Sequence, residues 1–179
     1  LYELLQDKVI LSIIAGWDFD KLEEVLPHTK HILINPNTPI EVGEGIILLE
    51  DKHTLTDEEF SEVKKMFEPI ALVEVLSSEL MNIGGKFSGC TPAYIAMFLE
   101  ALGDVGVKYG LKRDAAYRLG AQVIKGTGAL YLNSGTHPGA MKDAVCSPSG
   151  STIKGVEALE QSGFRGSVMG SIDATMGKK

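Results

Sequence analysis

The sequence predicts an α/β protein in its first part and an all-α protein in the remainder. Up to residue 76, short and nearly continuous apolar runs alternate with helical patterns, which is typical of strands buried on both faces of a parallel sheet. From residue 77 onwards, apolar residues recur at intervals of three and four, with glycine and proline between the segments, which indicates helices. We therefore expect a parallel-sheet domain over residues 1–76 and a helical domain over residues 77–179.

The sheet part begins with an apolar strand over Val9–Ala15, preceded by the end of an amphipathic helix at Leu1–Leu5. A short helix over Asp20–Leu26 leads to a second strand at Ile32–Ile34, which completes a βαβ pattern. The remaining elements of this part are a strand at Gly45–Glu50, a helix after the capping signal Thr56–Glu59, and a strand at Ala71–Leu76.

The helical part contains long helices at Pro92–Tyr109 and Arg113–Asn133, in which small residues recur as close helix crossings require. Shorter helices are predicted at Gly139–Ala144, Thr152–Ser162 and Gly166–Met176. The long helices carry more apolar surface than a domain of about 100 residues easily hides. We therefore expect a homodimer formed through this part, and a tight monomeric bundle is the alternative.

Composition excludes several classes of protein. The 179 residues are 44% hydrophobic and carry a net charge of −7, which argues against a nucleic acid or an anionic membrane as the main partner. The longest apolar runs, Val9–Ala15 and Gly45–Leu49, are shorter than the ~18 residues of a membrane-spanning helix, so we expect none. Cys90 and Cys146 fit neither a disulfide framework nor a zinc motif, and we interpret them as reduced thiols of a cytoplasmic protein.

Loops that follow the first and second strands carry residues suited to a small ligand. Gly16, after Ala15, would let a flat ligand approach the backbone, and a plain turn is the alternative. The stiff segment Asn35–Pro39 presents amide groups that suit a carboxamide or a ribose. The alternative for this segment is an Asx-type turn that satisfies its own backbone.

A third loop, Cys146–Ile153, runs into a helix and is rich in serine, glycine and threonine. Free N–H groups at a helix N-terminus, with hydroxyls around them, can bind a carboxylate or a phosphate. An N-cap followed by a solvent loop is the alternative.

His28 and His31 lack further residues at ligand spacing, so we expect no metal site, and His137 is expected to cap a helix. The sequence contains neither GxGxxG nor GxxxxGK.

Taken in order, these loops resemble those of the pyrroline-5-carboxylate reductases. The resemblance runs from about Val9 to Ala174, and its motifs are Ala15–Gly16, Pro36–Pro39, Ser88–Tyr94, His137–Gly139, Asp143–Ile153 and Gly163–Arg165. It implies reduction of 1-pyrroline-5-carboxylate to L-proline, the last step of proline biosynthesis, by hydride transfer from NADPH or NADH. It also implies a partial Rossmann-type dinucleotide-binding domain over residues 1–76 and a helical dimerisation and substrate-binding domain over residues 77–179.

The resemblance further implies which residues form the site. Those beside the nicotinamide end of the cofactor would be Ala15, Gly16, Asn37, Thr38 and Pro39. Those that bind the substrate would be Val145, Ser147, Gly150, Ser151 and Thr152. The substrate carboxylate would lie on the backbone amides near Ser151 and Thr152 together with Ser147, and the Thr152 hydroxyl, as the catalytic group, would face the ring nitrogen.

The chain departs from the family pattern at several positions. Asn35 stands where relatives have methionine, Gly85 where they have threonine, Cys90 and Thr91 within a Ser-Gly-Ser-Gly-Pro motif, and Ser149 where they have glycine. The chain has no initiator methionine and no glycine-rich turn before its first strand, so we expect it to be the later part of a longer enzyme. The alternatives are a non-catalytic paralogue or fragment that serves as a dimerisation module, and a related reductase for another small carboxylate.

Overall fold

The computed structural model describes residues 2–5 and 7–177, with the side chains of Tyr2 and Glu3 excepted. Leu1, which the sequence assigns to the end of an amphipathic helix, lies outside the described residues. The elements in chain order are α1 (Tyr2–Leu5), β1 (Val9–Ser12), α2 (Phe19–Val25), β2 (Lys30–Pro36), a 3-10 helix (Thr38–Val42), β3 (Gly45–His53), α3 (Asp57–Phe67), β4 (Ala71–Leu76), α4 (Ser78–Lys108), α5 (Arg113–Ser134), α6 (Pro138–Ala144), α7 (Ser151–Gln161) and α8 (Phe164–Thr175). Two compact units, Leu1–Pro92 and Ala93–Lys179, divide the chain within α4.

The strands of the first unit form a mixed sheet in the order β1-β2-β3-β4. β1 pairs with β2 and β3 pairs with β4 in parallel, as the sequence predicts, but β2 and β3 are antiparallel. The connection between β2 and β3 explains this difference. It contains only the short 3-10 helix, whereas parallel neighbours need a crossover of a dozen or more residues. Gly43 closes that connection in the left-handed conformation, with φ of 73°.

Both faces of the sheet are covered by apolar side chains, which confirms the prediction from the continuous apolar runs. On one face Ile32 and Leu49 are fully buried in a cluster that also includes Val63 of α3. On the other face Leu33 and Leu48 pack against Met81 of α4. The sheet therefore has helices on both sides, and α4 covers the face that carries Leu33.

Capping residues set where α2 and α3 begin. Thr56 and Glu59 form the predicted capping box at α3, in which the Thr56 hydroxyl accepts from the Glu59 N–H and the Glu59 carboxylate accepts from the Thr56 N–H. Asp18 caps α2 by accepting from the N–H of Lys21 at 3.0 Å. Side-chain caps therefore define the N-termini of both α2 and α3.

Helix α4 begins at Ser78, fourteen residues before the predicted start at Pro92, which lies inside the helix. Proline has no N–H, so the Ser88 carbonyl four residues earlier loses its helical partner. The side-chain Nδ2 of Asn37 donates to that carbonyl at 3.2 Å instead. A hydrogen bond from the sheet unit therefore satisfies the group that the proline leaves free, and the helix continues.

By length and composition alone α4 could cross a membrane, contrary to the prediction from the shorter apolar runs. Core helices of water-soluble proteins can have the same length and composition. Most of the apolar side chains in this helix are exposed in the single protomer, among them Met97 and Val105. In a single protomer, α4 therefore exposes an apolar surface to solvent.

Within the second unit, glycines allow α4 and α5 to approach closely. A Cβ at Gly103 would lie 2.2 Å from the Tyr117 ring, and a Cβ at Gly106 would lie 2.7 Å from that of Ala116. This confirms close crossing at small residues, whereas Gly126 and Gly128 face open space. Arg113 at the start of α5 is paired with Asp104 of α4, which raises the pKa of the guanidinium.

Candidate functional site

A cavity of about 520 Å³ opens at the carboxyl ends of the parallel strands β1 and β2. Its walls come from the loop after β1, the end of β2 and the first turns of α4; the residues are Ile13, Ile14, Ala15, Gly16, Trp17, Asp18, Leu33, Ile34, Asn35, Ser78, Met81, Asn82, Gly85, Lys86 and Cys90. Ligands of open α/β sheets bind outside the carboxyl ends of strands. The cavity is large enough for a small-molecule group and is mixed in polarity.

The loop after β1 places Ala15 and Gly16, two of the residues expected beside the cofactor, on the cavity wall. Gly16 has φ of 77° and no heavy atom within 4 Å of where a Cβ would lie, so its backbone is open to a flat ligand. Trp17 anchors this loop by packing against the apolar cluster that contains Leu33 and Met81. The ammonium of Lys21 also donates to the carbonyl oxygen of Gly16 at 3.1 Å.

Asn35, near the end of β2, carries its amide into the same cavity. A Cβ at Gly85 of α4 would lie 2.3 Å from the Nδ2 of Asn35, so the amide occupies space that only glycine leaves free. These residues are among the positions where the chain departs from the family pattern. The structure brings them into contact.

Asn37, Thr38 and Pro39, which are expected beside the cofactor, are not among the wall residues. Asn37 is the N-cap of the 3-10 helix, and Thr38 and Pro39 are its first residues. The buried side chain of Asn37 joins three segments: its Oδ1 accepts from the N–H of Ile46 at 2.7 Å, and its Nδ2 donates to the carbonyl of Ser88. The expected alternative of a local Asx-type turn is therefore not what the structure shows. Asn37 fixes the loop in place between β3 and α4.

The third loop lies in the second unit between α6 and α7. His137 caps α6 as predicted, with its Nδ1 accepting from the N–H of Gly139 at 3.1 Å. Val145 and Ser147 are on the loop that follows, where Val145 is exposed. At the far side of the loop, Gly150 is the N-cap of α7 and offers no side chain to the first helical N–H groups. Those groups therefore have no partner from a capping side chain.

Two backbone features shape this loop. Ser149 adopts φ of 60°, a left-handed conformation that costs a residue with a Cβ. A Cβ at Gly150 would lie 2.4 Å from the Oγ of Ser147, so glycine lets the hydroxyl fold over the turn. The exposed hydroxyls of Ser151 and Thr152 stand on the first turn of α7. Hydroxyls and free N–H groups thus converge at one helix N-terminus, which can hold a carboxylate.

The side chains with shifted pKa lie outside the cavity wall. Burial lowers the pKa of His31, and the carboxylate of Glu23, whose Oε2 is 3.2 Å from its Nε2, opposes this only in part. Ion pairing with Glu59 raises the pKa of Lys30. In the part of the chain that the structure describes, no cluster of three or more metal-ligating side chains occurs.

Sequence reasoning misses the contribution of α4 to the cavity. Ser78, Met81, Asn82 and Lys86 lie on the wall. The sequence predicts helical structure from residue 77 onwards but places the long helix only from Pro92. The apolar and small residues at Met81, Gly85 and Ser88 have helical spacing and carry the signal for an earlier start.

Comparisons with known proteins relate both units of the chain to one family. A family model described as pyrroline-5-carboxylate reductase dimerisation matches residues 78–179. The chain is 43% identical over 176 residues to pyrroline-5-carboxylate reductase of Treponema pallidum, covering 96% of this chain and 67% of that protein. It is 37% identical over 176 residues to the Escherichia coli protein of the same name, covering 98% and 65%. The chain thus spans about two thirds of the length of these curated relatives.

The crystal structure of Plasmodium falciparum pyrroline carboxylate reductase with NADP bound has the same fold. It superposes with a TM-score of 0.87 at 32% identity, and the match covers 99% of this chain and 72% of that one. This similarity confirms the predicted fold class, a Rossmann-type sheet followed by a helical dimerisation domain.

Proposed function

Because the chain belongs to the pyrroline-5-carboxylate reductase family, we propose that the full-length protein reduces 1-pyrroline-5-carboxylate to L-proline with NADPH or NADH. The observation that carries the proposal is the similarity to the Treponema pallidum reductase over 96% of the chain. A match of that extent includes both the loops at the sheet edge and the loop before α7. These are the parts of the chain that the reaction requires.

We assign the nicotinamide end of the cofactor to the cavity beside Ala15 and Gly16. The open backbone at Gly16 and the volume of about 520 Å³ fit a flat ring. A bound dihydronicotinamide supplies the hydride for the imine carbon. Asn37, Thr38 and Pro39 complete this part of the site by fixing the adjacent loop, since the amide of Asn37 is engaged by the protein itself.

The substrate is assigned to the loop before α7. The N–H groups of Ser151 and Thr152, together with the hydroxyl of Ser147, would bind the carboxylate, and the helix dipole favours its negative charge. Val145 contributes an apolar contact to the ring, and Gly150 allows the Ser147 hydroxyl to take its position. The site therefore recognises a small cyclic carboxylate by backbone groups and needs no basic side chain.

Thr152 is the proposed catalytic residue. The protonated imine is already electrophilic, so the protein mainly needs to orient the reactants. The hydroxyl of Thr152 would hydrogen-bond the ring nitrogen, which keeps its proton as the carbon accepts the hydride and the C=N double bond becomes a single bond. Neither a strong acid nor a metal is part of this proposal.

The helical part is proposed to form a homodimer. Its family model is a dimerisation model, and the apolar side chains of Leu119, Val123 and Leu132 on α5 are exposed in one protomer. A second copy would cover these surfaces and the apolar face of α4.

We accordingly assign residues 1–76 to cofactor binding and residues 77–179 to dimerisation and substrate binding. We place the enzyme in the cytoplasm, where the free thiols of Cys90 and Cys146 stay reduced.

Steady-state assays of the full-length product of the gene test this proposal. Thr152→Val should lower kcat/KM about 10- to 150-fold, which corresponds to about 1.5–3 kcal/mol for a hydrogen bond to a charged group, and Thr152→Ser should restore most of the activity. Thr127→Val is the matched control, because its hydroxyl only donates to the Val123 carbonyl of its own helix.

Other outcomes would point to the alternatives. A stable dimer without turnover would favour a dimerisation module. Turnover of another cyclic imine or a 2-oxo acid in preference to pyrroline-5-carboxylate would favour a related reductase.

A further inference from the structure

The amide of Asn35 is a polar group in the cavity without a partner from the protein. Asn35 is half-buried and lies on the wall with Gly16 and Asn82. Its side chain forms no hydrogen bond with any residue that the structure describes. A partly buried amide without a partner is costly unless water or a ligand satisfies it. The side chain is therefore available to a ligand.

The absence of a side chain at Gly85 leaves the space that this amide occupies. An added Cβ would lie 2.3 Å from Nδ2 of Asn35, which is closer than atoms of neighbouring residues approach. Gly89, one turn further along α4, has no heavy atom within 4 Å of an added Cβ. A Cβ at residue 85 would therefore force the Asn35 amide to move, whereas a Cβ at residue 89 would meet no other atom.

The neighbouring wall residues indicate what Asn35 faces. Gly16 leaves its backbone open for a flat ring, and Leu33 and Met81 provide an apolar surface behind it. An asparagine amide both donates and accepts, which complements a carboxamide on such a ring. The substrate has a carboxylate instead, for which the backbone N–H groups at α7 are the better partner.

We infer that Asn35, in the position that the absent side chain at Gly85 leaves open, binds the carboxamide of the nicotinamide ring and contributes to cofactor recognition. This inference rests on the proposed function and extends it to a residue pair. A hydrogen bond between neutral groups contributes about 0.5–1.5 kcal/mol, so its loss should weaken cofactor binding about 2- to 12-fold.

Fluorescence titration of the full-length protein with NADPH measures this directly. Asn35→Ala should raise the Kd about 2- to 12-fold, while the Kd of the 3-acetylpyridine analogue, which lacks the amide NH2, should rise less. Asn133→Ala is the matched asparagine control, because its amide is exposed and donates only to the Ala129 carbonyl of its own helix. Circular dichroism and thermal unfolding establish that each variant is folded.

A double-mutant cycle tests the role of Gly85. Gly85→Ala should raise the Kd for NADPH about as much as Asn35→Ala, and should add little in the Asn35→Ala background. Gly89→Ala should leave the Kd unchanged. Additive effects of the two substitutions would overturn the claim that the absent side chain at Gly85 leaves space for the amide.

Two further outcomes separate this inference from the proposed function. An unchanged Kd for NADPH in a folded Asn35→Ala variant, or a rise confined to the KM for pyrroline-5-carboxylate, would overturn the inference while the wild-type enzyme remains active. Absence of NADPH binding by the wild-type protein would instead contradict the proposed function.

Discussion

The hydrogen bond from Asn37 to the interior of α4 allows a quantitative test of how the sheet unit accommodates Pro92. Nδ2 of Asn37 donates to the Ser88 carbonyl at 3.2 Å, in a buried setting, and Oδ1 accepts from the N–H of Ile46. The substitution Asn37→Asp keeps the acceptor and removes the donor. The Ser88 carbonyl is then left without a partner, because residue 92 has no N–H.

The expected loss follows from the cost of a buried carbonyl without a hydrogen bond. Such a group costs about 1–3 kcal/mol, and the repulsion between the new carboxylate and the carbonyl oxygen acts in the same direction. In a Pro92→Ala background the N–H of residue 92 can donate to Ser88 along the helix. The cost of Asn37→Asp should then be smaller by about 1–2 kcal/mol, whereas the repulsion is present in both backgrounds and cancels.

Urea unfolding of the four proteins at one protein concentration measures this difference, since the stability of an oligomer depends on concentration. Equal losses of unfolding free energy in the wild-type and Pro92→Ala backgrounds would refute the reasoning. That result would mean that Asn37 does not compensate for the proline.

Three other predictions concern the loop before α7 and the sheet. Ser149→Gly should raise the free energy of unfolding by about 1 kcal/mol, because φ of 60° is costly only for a residue with a Cβ; an unchanged urea midpoint would contradict this. Gly150→Ala should raise the KM for pyrroline-5-carboxylate about 10- to 100-fold, since its Cβ would displace the Ser147 hydroxyl, while Gly155→Ala, which faces open space on α7, should not. His31→Gln should flatten the pH dependence of stability. The pKa of His31 is lowered in the folded state. Neutral His31 therefore makes its full contribution to the free energy of unfolding above about pH 6.5, and this contribution is lost as the pH falls from there towards the folded-state pKa. Urea unfolding between about pH 7 and 5 checks this prediction. The same dependence of the unfolding free energy on pH in the wild-type and His31→Gln proteins would exclude this role for His31.

Local patterns predict most elements of the fold, and the misses have physical causes. The strands and the capping box of α3 follow from apolar runs and from Thr56 and Glu59, which act over a few residues. The early start of α4 has a local signal at Met81, Gly85 and Ser88, but the hydrogen bond that compensates for Pro92 comes from Asn37, 51 positions away in the chain from Ser88. A proline alone suggests a helix start, because it fits the first turn.

Strand direction was predictable from a feature that the sequence does contain. The connection between β2 and β3 is too short for a parallel crossover, so the antiparallel pairing follows from chain length. The cavity was predictable only in part. Ala15 and Gly16 follow a recognisable strand, whereas the contact of Asn35 with Gly85 depends on the register of α4 against the sheet.

The most direct test of the central claim is product analysis of the reaction of the purified full-length protein with NADPH and 1-pyrroline-5-carboxylate. The account predicts that L-proline forms in amounts equal to the NADPH oxidised, that neither is observed without the imine, and that Thr152→Val slows both alike. No L-proline formation by a folded, dimeric, NADPH-binding protein would contradict the account.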